Sequence, residues 1–338
     1  MKLLKSLSIG IATLTLATTV ASADTLETTI KNGTLSCGLS TGLPGFASPD
    51  SNGVWKGIDV DECRAVAAAV LGDANKVKYA HLNAKERFTA LSSGEVDVLS
   101  RNTTWTATRD SSLGVNFAGV NFYDGQGFLV KKDLGVKSAK ELDGATFCIQ
   151  AGTTTELNLT DYFKANKMQY TPITYDTSAQ TIEGFKAGRC DALTSDSSQL
   201  YSLRTTLKDP SSTIVLPEII SKEPLGPVVR QGDDKWFNIV KWSHIALLNA
   251  EELGVNSKNV DEMLKSNNPA VKRLLGVTGD IGKNLGLDPK WAYNIIKQVG
   301  NYQEIFDRNV GKDSPLKISR GLNKLWKDGG LQYGAPIR

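Results

Sequence analysis

The sequence predicts an α/β protein made of two similar halves, each an open parallel sheet assembled from β-α-β units. The first observation behind this is an internal echo. The stretches "ALSSGEVDVLSRN" and "FKAGRCDALTSDS" superpose as helix end, glycine turn, strand and polar strand end, with Gly94 on Gly188, Asp97 on Asp191, Leu99 on Leu193 and Asn102 on Asp196. The second is a weaker echo ahead of each, "GTLSCGLSTG" and "GATFCIQAGT", which sets Cys37 on Cys148. Size is the third. Behind an apparent leader about 315 residues remain, too many for one ordinary core and comfortable for two.

The leader occupies residues 1–23. It has a basic start (Lys2, Lys5), an apolar run from Leu7 to Val20 and a small-x-small ending, Ala21-Ser22-Ala23. That is the pattern of a cleavable secretory signal peptide. No cysteine stands at the junction, so a soluble exported protein is expected rather than a lipoprotein. No later stretch approaches the roughly 18 uninterrupted apolar residues of a membrane span. Losing Lys2 and Lys5 lowers the formal charge from +3 to +1. A near-neutral surface offers no electrostatic attraction to nucleic acid or anionic lipid.

In the first half, strand 35–40 leads to helix 60–71, strand 76–81, helix 84–92 and strand 96–100. The second half repeats this with strand 145–150, helix 154–165, a strand near 169–174, helix 178–187 and strand 191–194. Helices follow at 233–252, 257–265 and 269–275, and in "DPKWAYNIIKQVG", where Asp288 is expected at the N-cap and Pro289 at the first helical position. The four cysteines, Cys37, Cys63, Cys148 and Cys190, suit an oxidising compartment and permit three pairings. Pairing within each half is expected, Cys37–Cys63 and Cys148–Cys190, because a first strand packs under the first helix of a βα unit. Buried free thiols are the alternative. With no CxxC spacing and two histidines, His81 and His244, no metal site is expected. No cofactor is expected either.

Open parallel sheets bind ligands beyond the carboxyl ends of their strands. Those ends here are bipolar. One carries Asn102, Thr104 and Arg109, another carries Ser195, Asp196 and Ser197, and a third opens a helix through Gly152-Thr153-Thr154. A helix N-terminus attracts an anion, arginine forks onto a carboxylate, and an ionised aspartate suits an ammonium group. A small zwitterion satisfies all three. Each feature alone has a plainer reading, a surface ion pair or an ordinary helix cap.

The motifs "G-x-D-V-D" near residue 57, "L-x-S-G-x-V-D-x-L", "T-x-x-R", "G-T-T" and "G-R-x-D-A-x-x-x-D" resemble the polar amino-acid-binding proteins of bacterial ABC importers. "RNTTWT", "CIQAGTTTELNL" and "GRCDALTSD" resemble their general L-amino-acid-binding branch. The resemblance covers residues 24–338. It implies a type II periplasmic-binding-protein fold: two α/β lobes joined by two hinge strands, with a helical C-terminal extension. With crossings in "NFAGVNFYDGQGFLVKK" and "STIVLPEIISKEPLGPVVR", lobe 1 is expected to comprise 24–124 plus 218–338 and lobe 2 residues 125–217.

The resemblance also implies roles: Arg109 for the ligand carboxylate, Asn102 and Thr104 for polar contacts, Thr153 and Thr154 at the helix start, and Asp196 for the amine. Leu43 stands where many relatives carry an aromatic lid, with Phe46 nearby and Trp105 as a further pocket wall. Arg101 is expected to be structural, pointing outward or paired with an acid such as Asp97. The expected partners are L-amino acids and the membrane permease of an ABC importer, and the expected form is a periplasmic monomer. The rival is an exported dehydratase acting on an amino-acid-like substrate, with Glu156 as its general acid. An extracytoplasmic sensor domain is a third class. No nucleophile–base motif such as G-x-S-x-G or HExxH supports an enzyme.

Overall fold

The computed structural model describes residues 24–338, and the expected signal peptide lies outside the described residues. Two five-stranded sheets organise two α/β lobes. The first sheet runs, edge to edge, Val77–Leu82, Leu35–Ser40, Val98–Leu99, Val228–Arg230 and Val115–Phe117. The second runs Thr171–Tyr175, Thr146–Gln150, Ala192–Asp196, Gln126–Lys131 and Thr213–Val215. In each, the first three strands are parallel and the fourth is antiparallel to both its neighbours. That fourth strand is the one by which the chain arrives from the other lobe. The sheets are therefore mixed rather than purely parallel. The expected strands are all present, the one at 96–100 shortened to Val98–Leu99.

Between the lobes the chain crosses twice, and the crossings pair as antiparallel strands, Phe122–Asp124 with Glu223–Leu225. Their register sets Glu223 directly opposite Asp124. Both cysteine pairs are disulfides, Cys37–Cys63 from strand to helix and Cys148–Cys190 from one strand to the entry of the next.

The helix Ile58–Leu71 starts at Gly57, whose φ of 140° and contact with the Phe46 carbonyl leave no room for a Cβ. Its first turns bury three acids, each given a partner. Asp61 pairs with Arg308 at 2.7 Å, Glu62 meets His244 at 3.3 Å, and Asp59 accepts from the Asn102 N–H at 2.9 Å. The helix N-terminus favours negative charge there.

The C-terminal extension packs on lobe 1 and grips the hinge. The helix Asp234–Glu252 lies against Ile58–Leu71 and Trp291–Gln298. Tyr302 donates to the Asn121 carbonyl at 2.8 Å, Gln332 to that of Val120 at 3.1 Å, and Asn323 bonds both backbone groups of Tyr123. The expected cap at Asp288 is corrected. Its carboxylate accepts from Lys290 N–H at 2.7 Å in a local turn, so the helix begins at Trp291 with Lys290 at the N-cap. The expected helix at 257–265 is reduced to Val260–Met263.

Candidate functional site

The carboxyl ends of the two central strands face each other across the hinge. From lobe 1, the strand Val98–Leu99 runs into Ser100, Arg101 and Asn102. Asn102 adopts a left-handed φ of 32°, a conformation asparagine tolerates better than most residues. Its N–H donates to Asp59 at 2.9 Å, and the Ser100 hydroxyl donates to the same carboxylate at 3.2 Å. Burial nonetheless pushes Asp59 up to about 7.

That shift predicts a pH dependence. An unfolded chain gives up this proton near pH 4. Stability contributed by protonated Asp59 is therefore fully present below that and is lost as pH rises towards about 7. Urea unfolding should show greater stability at pH 5 than at pH 8. Asp59→Asn should narrow the difference by on the order of 2–4 kcal/mol; an unchanged difference would contradict the assignment.

Arg101 does not point outward and does not pair with Asp97, which corrects that expectation. It is 2% exposed, lines the cleft, donates from Nε to the Leu82 carbonyl at 3.0 Å and has Asp59 as its acidic neighbour. Asp97 instead accepts from Ser36 N–H at 2.9 Å and lies near Arg230. Thr104 bridges to Leu225 of the hinge, and its carbonyl accepts from Arg109 Nη1 at 2.8 Å. Arg109 sits over the Phe88 ring, one layer behind the residues that line the cavity. Burial lowers its pKa, against the pull of Glu223 and Asp196.

From lobe 2, Thr153 is the N-cap of helix Thr154–Ala165. Its hydroxyl turns back to the Gln150 carbonyl at 2.7 Å instead of capping, so its own side chain leaves the first-turn amides free. Thr154 donates to Glu223 at 2.9 Å and lies 3.5 Å from the Thr104 hydroxyl. Asp196 ends its strand 7% exposed, and among the described residues no group donates a hydrogen bond to its carboxyl. Burial, then the nearby Asp124 and Glu223, push it well above the usual carboxylate range, while Arg87 and Arg109 pull the other way. Asp124, held at about 6 by burial, accepts from Gly125 N–H and the Ser198 hydroxyl.

The enclosed cavity at the centre measures about 20 Å³, room for about one water. Asn102, Thr104, Thr153, Thr154 and Asp196 line it. So do Arg87, Gln150 and Gln199, which no local motif distinguishes. The lobes touch around it, Asn102 to Gln199 at 3.3 Å, Ser202 to the Pro44 carbonyl at 2.7 Å, and Lys85 to Asp176 at 2.7 Å. Larger open grooves of about 830 and 670 Å³ lie on the surface, but buried charge from both lobes converges at the cleft. The expected pocket wall is corrected. Leu43 and Phe46 are buried in the core of lobe 1, Phe46 against Phe122. Trp105 is 41% exposed, stacks on Phe117 and faces a separate groove with Tyr123 and Tyr333.

The hinge acids Asp124 and Glu223 also escaped sequence reading. Glu223 is 2% exposed and accepts from Thr154, Asn158 and Ser221, a convergence of residues up to 69 positions apart that no local pattern announces.

Residues 35–331 match the family described as bacterial extracellular solute-binding proteins, family 3. The chain is 64% identical over 317 residues to YhdW of Escherichia coli (strain K12), covering 93% of this chain and 92% of that protein. It is 60% identical over 337 residues to the general L-amino acid-binding periplasmic protein AapJ of Rhizobium johnstonii, covering 99% of each. Among solved structures, a periplasmic binding protein from Brucella ovis with glutathione bound superposes with a TM-score of 0.92 at 58% identity, covering 94% of this chain and all of that one.

Proposed function

The chain belongs to the bacterial extracellular solute-binding proteins, family 3, and from that membership we infer that it captures L-amino acids outside the cytoplasm and delivers them to an ABC importer. The observation that carries the reading is the bipolar cleft. Asp196 lacks a hydrogen-bond donor on one side of it, and on the other stand arginines without an ionic partner among the described residues. The ligand carboxylate goes to Arg109 and the Thr154 amide, and its ammonium group to Asp196 with Asp124 and Glu223 behind it. Asn102, Thr104 and Thr153 make the remaining polar contacts.

Because Asp124 and Glu223 belong to the hinge strands, a cation held near them couples occupancy to lobe geometry. A ligand favours the closed form only by its differential affinity for it. The membrane permease reads that closure. The protein acts in the periplasm as a monomer, and no helix among the described residues is long and apolar enough to cross a membrane.

It is not an enzyme. AapJ, its relative over 99% of the chain, is named as a binding protein. Glu156, the carboxylate considered as a general acid, accepts from Gly152 N–H at 2.9 Å and does not line the cavity.

Thermal unfolding of ligand-stripped protein against the twenty L-amino acids, several D-isomers and simple carboxylic acids tests the reading. A ligand at 100 times its Kd adds about 2.7 kcal/mol. Stabilisation by L-amino acids and by none of the acids lacking an amine is expected. Silence from every L-amino acid would overturn it.

A further inference from the structure

The C-terminal extension lines no part of the cleft cavity, yet it holds the joint on which closure turns. In the hinge ribbon Tyr123 stands opposite Pro224, and Asp124 opposite Glu223. These two levels are held from different sides. The Pro224 carbonyl accepts from Trp105 N–H at 2.8 Å, and Leu225 bridges to Thr104, so this level belongs to lobe 1. Glu223 accepts instead from Thr154 at 2.9 Å and Asn158 at 2.6 Å, both on the lobe 2 helix Thr154–Ala165. Asp124 is likewise bound into lobe 2, accepting from the Ser198 N–H at 3.3 Å and from its hydroxyl. The Gly125 carbonyl that follows accepts from Ser197 N–H at 2.8 Å.

Tyr123 is the remaining corner, and its holder is the extension. Asn323, 4% exposed, accepts from Tyr123 N–H through Oδ1 at 2.7 Å and donates from Nδ2 to the Tyr123 carbonyl at 3.0 Å. Pro224, directly opposite, has no N–H with which to serve that carbonyl. The Asn323 amide covers the outer edge of the ribbon as one more strand would. Asn323 is itself fixed to lobe 1. Arg320 donates from Nε to the Asn323 carbonyl at 3.0 Å, pairs with Glu251 at 3.1 Å and lies over the Tyr302 and Phe306 rings. Both crossings therefore pass from one lobe's hold to the other's at the same level of the ribbon.

We propose that Asn323 is a positioning residue for lobe closure: it keeps Tyr123 with lobe 1, so that the lobes turn about a line between the Tyr123–Pro224 and Asp124–Glu223 pairs. The consequence for ligands rests on the amino-acid-binding reading above, whereas the hinge line does not. Without the Asn323 amide, the last lobe 1 anchor on the first crossing moves back to Phe122, whose ring packs on Phe46 and Phe306. The open form then samples more orientations, and closure costs more conformational entropy. Every ligand that requires the closed form binds more weakly, by one common factor.

The test joins small-angle scattering, ligand-free and saturated, to calorimetric titration with L-glutamate, L-alanine and L-leucine. The proteins are stripped wild type, Asn323→Leu and Asn323→Ala, with thermal midpoints recorded to check folding. Asn323→Ala, which leaves room for a water at the ribbon edge, carries the test if the Leu variant does not fold. The ligand-free variant should show a larger radius of gyration and a broader distance distribution than ligand-free wild type, while the saturated forms coincide. Affinity for each ligand that wild type binds should fall by the same factor, ~5-fold or more. Ligand-free scattering identical to wild type would make Asn323 a purely structural residue, whatever its thermal midpoint, and overturn the proposal. So would a loss confined to one ligand, which marks a contact in the cleft. Failure of wild type to bind any of the three would remove the amino-acid reading, and the ligand-free scattering would still decide the hinge line.

Discussion

Asp196→Ala is expected to weaken amino-acid binding by at least ~30-fold, about 2 kcal/mol or more, because a buried ammonium group loses its anionic partner. The same substitution should not destabilise the free protein and is expected to raise its thermal midpoint. Asp196 is buried, receives no hydrogen bond among the described residues, and is crowded by Asp124 and Glu223. Removing it relieves a like-charge cluster that the hinge register makes worse by setting Glu223 opposite Asp124. A loss of binding together with unchanged or increased stability separates a ligand contact from a structural one. Calorimetric titration and thermal unfolding read the two effects. An Asp196→Ala protein that binds like wild type would remove this residue from the site.

The second large effect concerns the disulfides. Cys148–Cys190 closes 42 positions of chain and Cys37–Cys63 closes 26. The loop-entropy relation gives about 4 and about 3.5 kcal/mol respectively. Cys148 lies opposite Leu193 in the sheet, so its bridge ties the strand that leads to Thr153 to the strand that ends in Asp196. Replacing Cys148 and Cys190 together by serine should lower the urea-derived stability of lobe 2 by about 4 kcal/mol. Ligand binding should fall with it as the two strand ends lose their fixed spacing. A change below ~1 kcal/mol would show that sheet packing alone holds these strands. Such dependence also suits a protein that reaches its working form only in an oxidising compartment.

The first three strands of each sheet were legible because their signals are local: an apolar run, a glycine turn before it and polar residues after it. The echo between Gly94–Asn102 and Gly188–Asp196 marks corresponding third strands of two like sheets. The fourth strands were not legible as such. Val228–Arg230 and Gln126–Lys131 enter from the opposite lobe, and nothing within either stretch says which sheet it joins or that it runs antiparallel. Asp288 misled because aspartate before proline signals a helix start and a local turn equally well.

The cleft divides similarly. Asp196 ends a strand, and Thr104 and Thr154 stand a few residues beyond one, so strand-end reasoning reaches them. Arg87 lies on a short helix where, in sequence, it looks like any solvent-facing arginine. Glu223 and Asp124 sit on hinge strands, whose pairing across the two crossings is a property of the whole fold. Leu43 and Phe46 suggest a pocket wall because they precede a recognisable motif, yet both are buried in the core, Phe46 against Phe122.

The most direct test of the central claim, that the cleft reads a zwitterion between an arginine carboxylate clamp and Asp196, is a calorimetric titration of stripped protein with L-glutamate and with glutarate, the same diacid lacking the amine. Binding of L-glutamate with glutarate at least ~30-fold weaker is the predicted result, since glutarate leaves Asp196 unpartnered. Equal affinities for the two would mean that the amine is not read, and would contradict the account.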